Sequence, residues 1–154
     1  MSKKSPTQAC EATSNESFVS IEKSVLHLLH RAEQSINDQL MRAVGSGITP
    51  RQLIVLMAVA ANEGSNHQAL SAATGVDRST ISDVVNRMDR RGLVEQFTRS
   101  QDSRSRYVKL TEEGRAAVAN AAPKLHELEQ KIGALLTRSA EEFVDDLARI
   151  TRLA

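Results

Sequence analysis

Residues 68–96 have the sequence QALSAATGVDRSTISDVVNRMDRRGLVEQ, which predicts two short helices joined by a turn. Gly75 is placed to end the first helix, because glycine readily adopts the left-handed conformation of a helix C-cap. Asp77 is a good N-cap for the second helix, which the pattern predicts over about 78–91, ending at Gly92. Two capped helices joined through a turn that contains glycine are typical of a helix-turn-helix motif.

The second of these helices has two distinct faces. At about 100° per residue, one face collects four apolar side chains, Ile81, Val84, Val85 and Met88. The opposite face collects four polar ones, Ser79, Asp83, Asn86 and Arg90. A face that serves only solubility usually carries long Glu and Lys pairs, whereas short hydrogen-bonding side chains and Arg contact base edges and phosphates in a major groove. The pattern therefore favours groove binding over a merely solvated face.

The formal net charge of +1 conceals an uneven distribution along the chain. Residues 66–111 hold eight Lys and Arg against five Asp and Glu, a net charge of +3. Residues 1–65 hold six of each sign, and residues 112–154 hold six cations against eight anions. A local basic region on a nearly neutral chain is typical of a module that binds a polyanion.

After these helices the pattern changes to two β-compatible runs, Leu93–Thr98 and Arg106–Leu110, separated by the polar residues 99–105. Apolar and polar side chains alternate in the second run, which predicts one buried and one exposed face. The segment therefore predicts a small β-hairpin whose tip carries Arg104 and Arg106. Such a tip can approach the minor groove or the DNA backbone beside the helix.

Two further helix starts are predicted from capping patterns. One of them combines an N-cap at Thr49, a proline at the first helical position, Pro50, and the capping-box partner at the third helical position, Gln52. Ser65 and Gln68 repeat the capping-box spacing at the start of the short helix that Gly75 ends.

Long helices are predicted at both ends of the chain. Apolar residues recur at steps of three or four over residues 18–45, and again over residues 112–154, where Thr111 is the N-cap. Pro123 removes one helical hydrogen bond, so a kink or a fresh helix start is expected near Ala122. The last helix carries Phe143, Leu147, Ile150 and Leu153. Because these stripes are longer than a compact monomer could bury, we expect them to intertwine with a second copy of the chain.

Length and composition exclude several classes of protein. A chain of 154 residues fits one domain, predicted over residues 18–154 after a flexible polar arm at residues 1–17. A single cysteine and the absence of an apolar leader favour a cytoplasmic setting, and no apolar run has the length of a membrane span. Aromatic residues make up 3%, too few for a surface that stacks bases or sugars. No catalytic, cofactor or metal motif is present, so we expect neither an enzyme nor a cofactor nor a metal.

The residues resemble the MarR family of bacterial winged helix-turn-helix transcriptional regulators. Three stretches carry the resemblance: ITPRQLIVL at 48–56, the segment 68–96, and DSRSRYVKLTEEG at 102–114. The resemblance implies a mostly α fold with a small β-hairpin wing. The DNA-binding part would span residues 49–111, between dimerisation helices at 18–48 and 112–154. It also implies a homodimeric repressor that binds double-stranded DNA at an inverted-repeat operator and is released by a small aromatic or phenolic ligand.

The resemblance also assigns roles to individual residues. The wing pattern of the family falls on Asp102, Ser103 and Arg104, so that Arg104 would enter the minor groove with Asp102 orienting its guanidinium group. The recognition-helix positions of the family fall on Arg78, Ser79, Thr80, Ser82, Asn86 and Arg87, to which the polar face adds Arg90. Asp83 departs from the family, where a basic residue is common. Its carboxylate either accepts from a cytosine amino group or pairs with Arg87.

Candidates for an effector site are less specific. His30, Arg31 and Arg51 could recognise the carboxylate of an aromatic ligand. His27 and His30 have a spacing that can hold a metal, but no other His or Cys lies near in sequence to complete a tetrahedral site, so we expect no metal there.

Two alternative functions remain open from the sequence. Cys10 resembles the N-terminal cysteine of peroxide-sensing members of the same family, although no group nearby would activate its thiol. A winged helix can also serve as a protein-protein interaction module. Such a module would carry an apolar or acidic recognition face, whereas the face found here is polar and basic.

Overall fold

The computed structural model describes residues 20–45, 47–99 and 102–153, with the main chain alone for residues 102–104 and 153. The predicted arm at residues 1–17, with Cys10, lies outside this range. The chain divides into two units, residues 1–34 and residues 35–154. In the first unit a 3-10 helix at Ile21–Lys23 precedes helix α1, which spans Val25–Val44 and continues into the second unit.

The second unit has the element order of a winged helix-turn-helix with additional long helices. After α1 come α2 (Pro50–Ala61), β1 (Ser65–Asn66), α3 (His67–Thr74), α4 (Arg78–Arg90), β2 (Val94–Arg99), β3 (Asp102–Leu110), α5 (Glu112–Leu135), α6 (Ala140–Ile150) and a 3-10 helix at Thr151–Leu153. The strands form an antiparallel sheet in the order β1-β3-β2. The predicted fold class, mostly α with a small β wing, is confirmed.

The main core lies where α2, α3, α4 and the sheet meet. It is built from Val55, Leu56, Val59, Leu70, Ile81, Val84, Val85, Met88, Leu93, Val94, Val108 and Leu110. The four apolar residues predicted for one face of α4 are all included, and none is more than 4% exposed. Since burial of such side chains contributes roughly 1.5–3 kcal/mol each, α4 is held firmly by this face and presents the other to solvent.

Most predicted caps are confirmed, and one is wrong. Thr49 and Gln52 form a reciprocal capping box at the start of α2. Gly75 ends α3 with φ +69°. The N-cap of α3 is Asn66, whose Oδ1 accepts from Ala69 N at 2.9 Å, and not the predicted Ser65. Ser65 lies opposite Val108 in β1, so pairing in the sheet overrides its local capping pattern.

The wing strands extend further than their apolar pattern predicts. The predicted hairpin loop at 99–105 is wrong at both ends, because β2 reaches Arg99 and β3 begins at Asp102. Arg99 explains part of the extension. Its guanidinium lies 4.0 Å from the ring centroid of Tyr107, and its Nη2 donates to Gly64 O at 3.0 Å. Side-chain stacking across the strands thus continues pairing into a polar stretch.

Helix α5 continues through Pro123, so the fresh helix start predicted as one alternative near Ala122 is wrong. Packing on both sides of the proline accounts for this continuity. Ala121 is buried against Leu40 and Leu53, and Leu125 packs on the same cluster. Tertiary packing here outweighs the local cost of about 3 kcal/mol that proline imposes on a helix interior.

Candidate nucleic-acid interface and effector cleft

The outer face of α4 is the candidate surface for binding nucleic acid. Arg78, Ser79, Asn86, Arg87 and Arg90 are exposed on it, whereas Thr80 and Ser82 are half-buried. The structure thus brings all seven predicted recognition-helix residues together on one element whose opposite face is fixed in the core. The connection between α3 and α4 is a tight turn of three residues, which begins at Gly75, the C-cap of α3, and ends at Asp77, the N-cap of α4.

Asp77 fixes the first turn of α4. Its Oδ1 accepts from Ser79 Oγ at 2.5 Å and from the main-chain N of Thr80 at 2.9 Å. These two hydrogen bonds hold the pKa of the Asp77 carboxyl far below its ordinary value, and the bond from Ser79 has the larger effect. The cap therefore stays ionised and complements the positive end of the helix dipole.

Asn86 is held in one orientation by the wing. Gln96 on β2 donates its Nε2 to Asp89 Oδ2 at 2.9 Å and to Asn86 Oδ1 at 3.1 Å. A carboxylate only accepts, so Asp89 determines which end of the Gln96 amide faces α4. The Gln96 amide in turn requires the oxygen of Asn86 to point toward the wing. The sequence did not indicate Gln96, since a single polar residue in an edge strand has no distinctive pattern.

The arginines on this face are bonded along their own helix. Arg87 Nε donates to the main-chain oxygen of Asp83 at 3.2 Å, and Arg90 Nε donates to that of Asn86 at 3.3 Å. The ion pair between the side chains of Asp83 and Arg87 was one of two alternatives for Asp83; in the structure the Arg87 guanidinium bonds the main-chain carbonyl of Asp83. Each bond uses one of five guanidinium N–H groups and limits the rotamers of a long side chain.

The wing contributes Arg106, which is exposed on β3 and lines a polar cleft together with Arg78 of α4. The main chain of Asp102 and Arg104 lies in β3, close to the turn of the hairpin, while their side chains lie outside the described atoms. Their predicted roles stay predictions.

A second cleft, of about 170 Å³, lies between the end of α1 and α5. Its walls are largely apolar, with Val44, Ile48 and Ala121 among them, and Asn120 and Lys124 add polar groups. None of the three predicted effector residues, His30, Arg31 and Arg51, lines this cleft. All three are exposed, Arg51 at the first turn of α2 and the other two on the part of α1 that belongs to the first unit.

One residue connects this second cleft to α4. Gly47 lines the cleft, and its carbonyl oxygen accepts from Nη2 of Arg91, the C-cap residue of α4. Nη1 of the same arginine donates at 3.3 Å to Gln52 Oε1, which also completes the α2 capping box. The wall of the cleft and the end of the recognition helix therefore share a hydrogen-bonded side chain.

The described residues form neither a metal-binding cluster nor a membrane-spanning helix. Residues 20–45, 47–99 and 102–153 contain no group of three or more His, Cys, Asp or Glu placed to hold a metal ion. Within the same ranges, no helix has the length and hydropathy needed to cross a membrane.

Comparison with known proteins agrees with this architecture. A model of the MarR family matches residues 46–105. The transcriptional regulator HosA of Escherichia coli is 30% identical over 102 residues, which cover 66% of this chain and 76% of HosA.

Two solved structures are similar over most of the chain. One is the transcriptional regulator PcaV of Streptomyces coelicolor in complex with its natural ligand, with 29% identity, a TM-score of 0.78, and coverage of 90% of this chain and 96% of PcaV. The other is BpsR of Bordetella bronchiseptica, whose DNA binding is regulated by 6-hydroxynicotinic acid, with 27% identity, a TM-score of 0.74, and coverage of 82% and 98%.

The fold and the exposed face of α4 define a winged helix-turn-helix transcriptional regulator that binds DNA. The chain belongs to the MarR family. Its relatives are transcriptional regulators and not enzymes.

Proposed function

We propose that this regulator is a homodimeric repressor that binds an inverted-repeat operator and is released by a small aromatic carboxylate. The observation that carries the DNA-binding part is the division of α4 into a buried apolar face and an exposed face of Ser, Asn and Arg. The wing lies beside that face and is bonded to it through Gln96. In this arrangement α4 occupies the major groove, and Arg104 and Arg106 contact the flanking minor groove or backbone.

Base-specific and backbone contacts should respond differently to substitution. Arg104→Ala should weaken binding to all duplexes alike, whereas Asn86→Ala should relax the preference for one sequence. Arg51→Ala is the matched control, because it removes an exposed cation from the first turn of α2, outside α4, the wing and the helices predicted to form the dimer. The measurement is a gel-shift titration with the best duplex selected from a random pool and with a scrambled one. Unchanged affinities for Arg104→Ala and Asn86→Ala would refute the assignment.

The salt dependence provides an independent test of phosphate contacts. If a dimer makes about 6–10 of them, affinity should fall by roughly 10³–10⁵ between about 50 and 200 mM salt. An affinity insensitive to salt would contradict binding along the DNA backbone and favour a protein partner.

The dimer is supported by large apolar side chains at the end of the second unit. Leu135 is 83% exposed, Val144 60% and Ile150 41%. Exposed apolar surface of this kind marks an interaction site, and here it lies on the helices for which an intertwined partner was predicted. The same surface on two copies gives a two-fold assembly, which would place two α4 helices about 34 Å apart, one DNA turn.

A charge placed in this surface should separate the two copies. Leu135→Glu should shift sedimentation equilibrium toward monomer and reduce affinity for a palindromic duplex more than for a half-site. Ala61→Glu is the control, because it adds the same charge at the exposed end of α2. Unchanged self-association of Leu135→Glu would exclude this surface from the dimer.

The effector proposal depends on the cleft between α1 and α5. Its volume of about 170 Å³ is close to that of cavities that hold a single benzene ring, roughly 150 Å³. Lys124 at its wall provides a cation that suits a carboxylate, and the DNA binding of BpsR is regulated by an aromatic acid. Arg91 offers a route by which occupation of the cleft could displace α4 and disturb the spacing of the two half-site contacts.

Benzoate and benzyl alcohol form a suitable pair of probes, because they share the ring and differ in charge. Calorimetry should show tighter binding of benzoate, and Lys124→Met should remove that preference. Lys131→Met is the control, since Lys131 lies on the same helix but pairs with Glu127 at the surface. Equal binding of the two probes by the unmodified protein would refute a carboxylate effector.

A further inference from the structure

The polar cleft lined by Arg78 and Arg106 has no role in the base contacts proposed for α4. It has a volume of about 230 Å³ and lies where the start of α3, the first turns of α4 and the inner part of β3 meet. Asn66, His67, Arg78, Ser82 and Arg106 contribute to its walls. Two guanidinium groups that line one polar cleft make it suitable for an anion such as a phosphate.

His67 is the unexpected member of this cleft. It is the first residue of α3, and its Nε2 is buried without a hydrogen-bond partner among the described residues. Gln96 Oε1 is the second buried atom in that condition. Because Asp89 fixes the Gln96 amide, this oxygen cannot exchange places with the nitrogen that serves α4. A buried acceptor and an imidazole nitrogen that both lack partners require an explanation.

The charges around His67 favour its neutral form when the cleft is empty. Burial is the largest effect and lowers the pKa of His67, and the positive charges of Arg78 on α4 and Arg106 on β3 lower it further. The side chain of Gln96 on β2 acts in the opposite direction, since it favours the protonated ring. Among the described residues, no carboxylate contributes to the lowered pKa of His67, and Asp89 is bonded to Gln96.

We propose that this cleft binds one backbone phosphate of duplex DNA through Arg78 and Arg106, and that binding is accompanied by uptake of a proton at His67. The proposal rests on the proposed function and adds a site and a linkage to it. A phosphate between the two guanidinium groups cancels the charge that opposes protonation. The protonated ring carries an N–H on both nitrogens, so it can donate to Gln96 Oε1 from whichever nitrogen faces that oxygen, whereas the neutral ring donates from only one of the two. His67 would in this way sense whether the wing and α4 are seated on the DNA backbone.

The sign of the linkage follows from these charges. Bound DNA raises the affinity of His67 for a proton, so by reciprocity a proton raises the affinity for DNA. Binding should therefore tighten as the pH falls from about 8 to about 6, by up to about tenfold per pH unit and per cleft occupied.

The test is fluorescence anisotropy with a labelled duplex at constant ionic strength, between about pH 5.5 and pH 8. Unmodified protein should bind more tightly at low pH. His67→Gln should flatten the profile and keep the preference for the selected sequence, whereas His126→Gln, which removes an exposed histidine of α5, should leave the slope unchanged. A slope retained in His67→Gln would overturn the proposal. A flat profile of the unmodified protein, with intact operator binding, would overturn the proposal and leave the proposed function standing.

A second measurement does not depend on a variant that folds. The ring resonances of His67 can be titrated by NMR in the unmodified protein alone, with duplex DNA, and with inorganic phosphate. A pKa raised by DNA, and by free phosphate to a smaller degree or not at all, supports a backbone-phosphate site. A pKa raised by inorganic phosphate but not by DNA would assign the cleft to a free anion and overturn the proposal, as would a pKa that neither probe changes.

Discussion

Replacing Gly114 with alanine would place a methyl group against the main chain of the turn that follows α4. Gly114 is buried in the first turn of α5, and a Cβ there would lie 1.9 Å from the carbonyl oxygen of Leu93 and 3.4 Å from Leu110 Cδ2. Backbone cannot rotate away as a side chain tip can, so the helix and the turn must separate. Helix propensity alone predicts the reverse, a gain of about 0.5–1 kcal/mol for alanine over glycine.

The expected size of the effect combines three contributions. Overpacking typically costs about 1–3 kcal/mol. The same displacement strains the hydrogen bond from Thr111 N to Leu93 O, 3.2 Å long, whose loss costs about 0.5–1.5 kcal/mol. After the gain in helix propensity, Gly114→Ala should reduce the free energy of unfolding by about 2 kcal/mol.

Urea denaturation at fixed protein concentration measures this change. Ala116→Gly provides the matched control, because residue 116 is exposed on the same helix and its substitution should cost only the propensity difference of about 1 kcal/mol. Equal stability of Gly114→Ala and the unmodified protein, or a higher stability, would show that α5 and the turn after α4 are not in this close contact.

Three further predictions concern other contacts. Arg91→Ala should lower the free energy of unfolding by about 1 kcal/mol and reduce the effect of benzoate on DNA affinity, measured by anisotropy with and without the ligand. An unchanged effect of benzoate would show that the contact between Arg91 and Gly47 does not couple the cleft to α4. Asp77→Ala should lower the melting temperature at neutral pH. Because the pKa of Asp77 is depressed in the folded state, the difference in melting temperature between the variant and the unmodified protein should shrink as the pH falls below 3.8, and a difference independent of pH would contradict an ionised cap. Leu56→Ala, at a fully buried position, should cost about 2–5 kcal/mol in urea denaturation. Met57→Ala, at a neighbouring position that is 42% exposed, should cost clearly less, and equal losses for the two variants would contradict the burial of this face of α2.

Features with a local cause could be predicted from the sequence. The apolar spacing of Ile81, Val84, Val85 and Met88 predicted the buried face of α4, because helical periodicity depends only on neighbours along the chain. The caps at Thr49 and Asp77 are local in the same sense. These elements placed the candidate recognition face correctly on an exposed helix.

Features that depend on distant contacts could not be predicted. Ser65 has a capping pattern, but its partner Val108 in the sheet lies more than forty positions away in the chain. The bond between Gln96 and Asn86 and the cleft around His67 arise only when the wing packs against α3 and α4. Gly114 looked like an ordinary helix residue, because nothing in its neighbourhood along the chain indicates a carbonyl oxygen at close range.

In the proposed DNA complex, the bonds that orient Ser79 and Asn86 determine whether each side chain donates to a base or accepts from it. The Ser79 hydroxyl gives its proton to Asp77 and can only accept, whereas Asn86 has its oxygen engaged by Gln96 and offers its amide N–H groups. A base edge that meets Ser79 must therefore supply an amino group, from adenine N6 or cytosine N4, and one that meets Asn86 must supply lone pairs, from guanine, thymine O4 or a purine N7. The usual two-pronged pairing of Asn with adenine is thereby weakened. Hydrogen bonds within the protein would thus limit the bases that α4 can select.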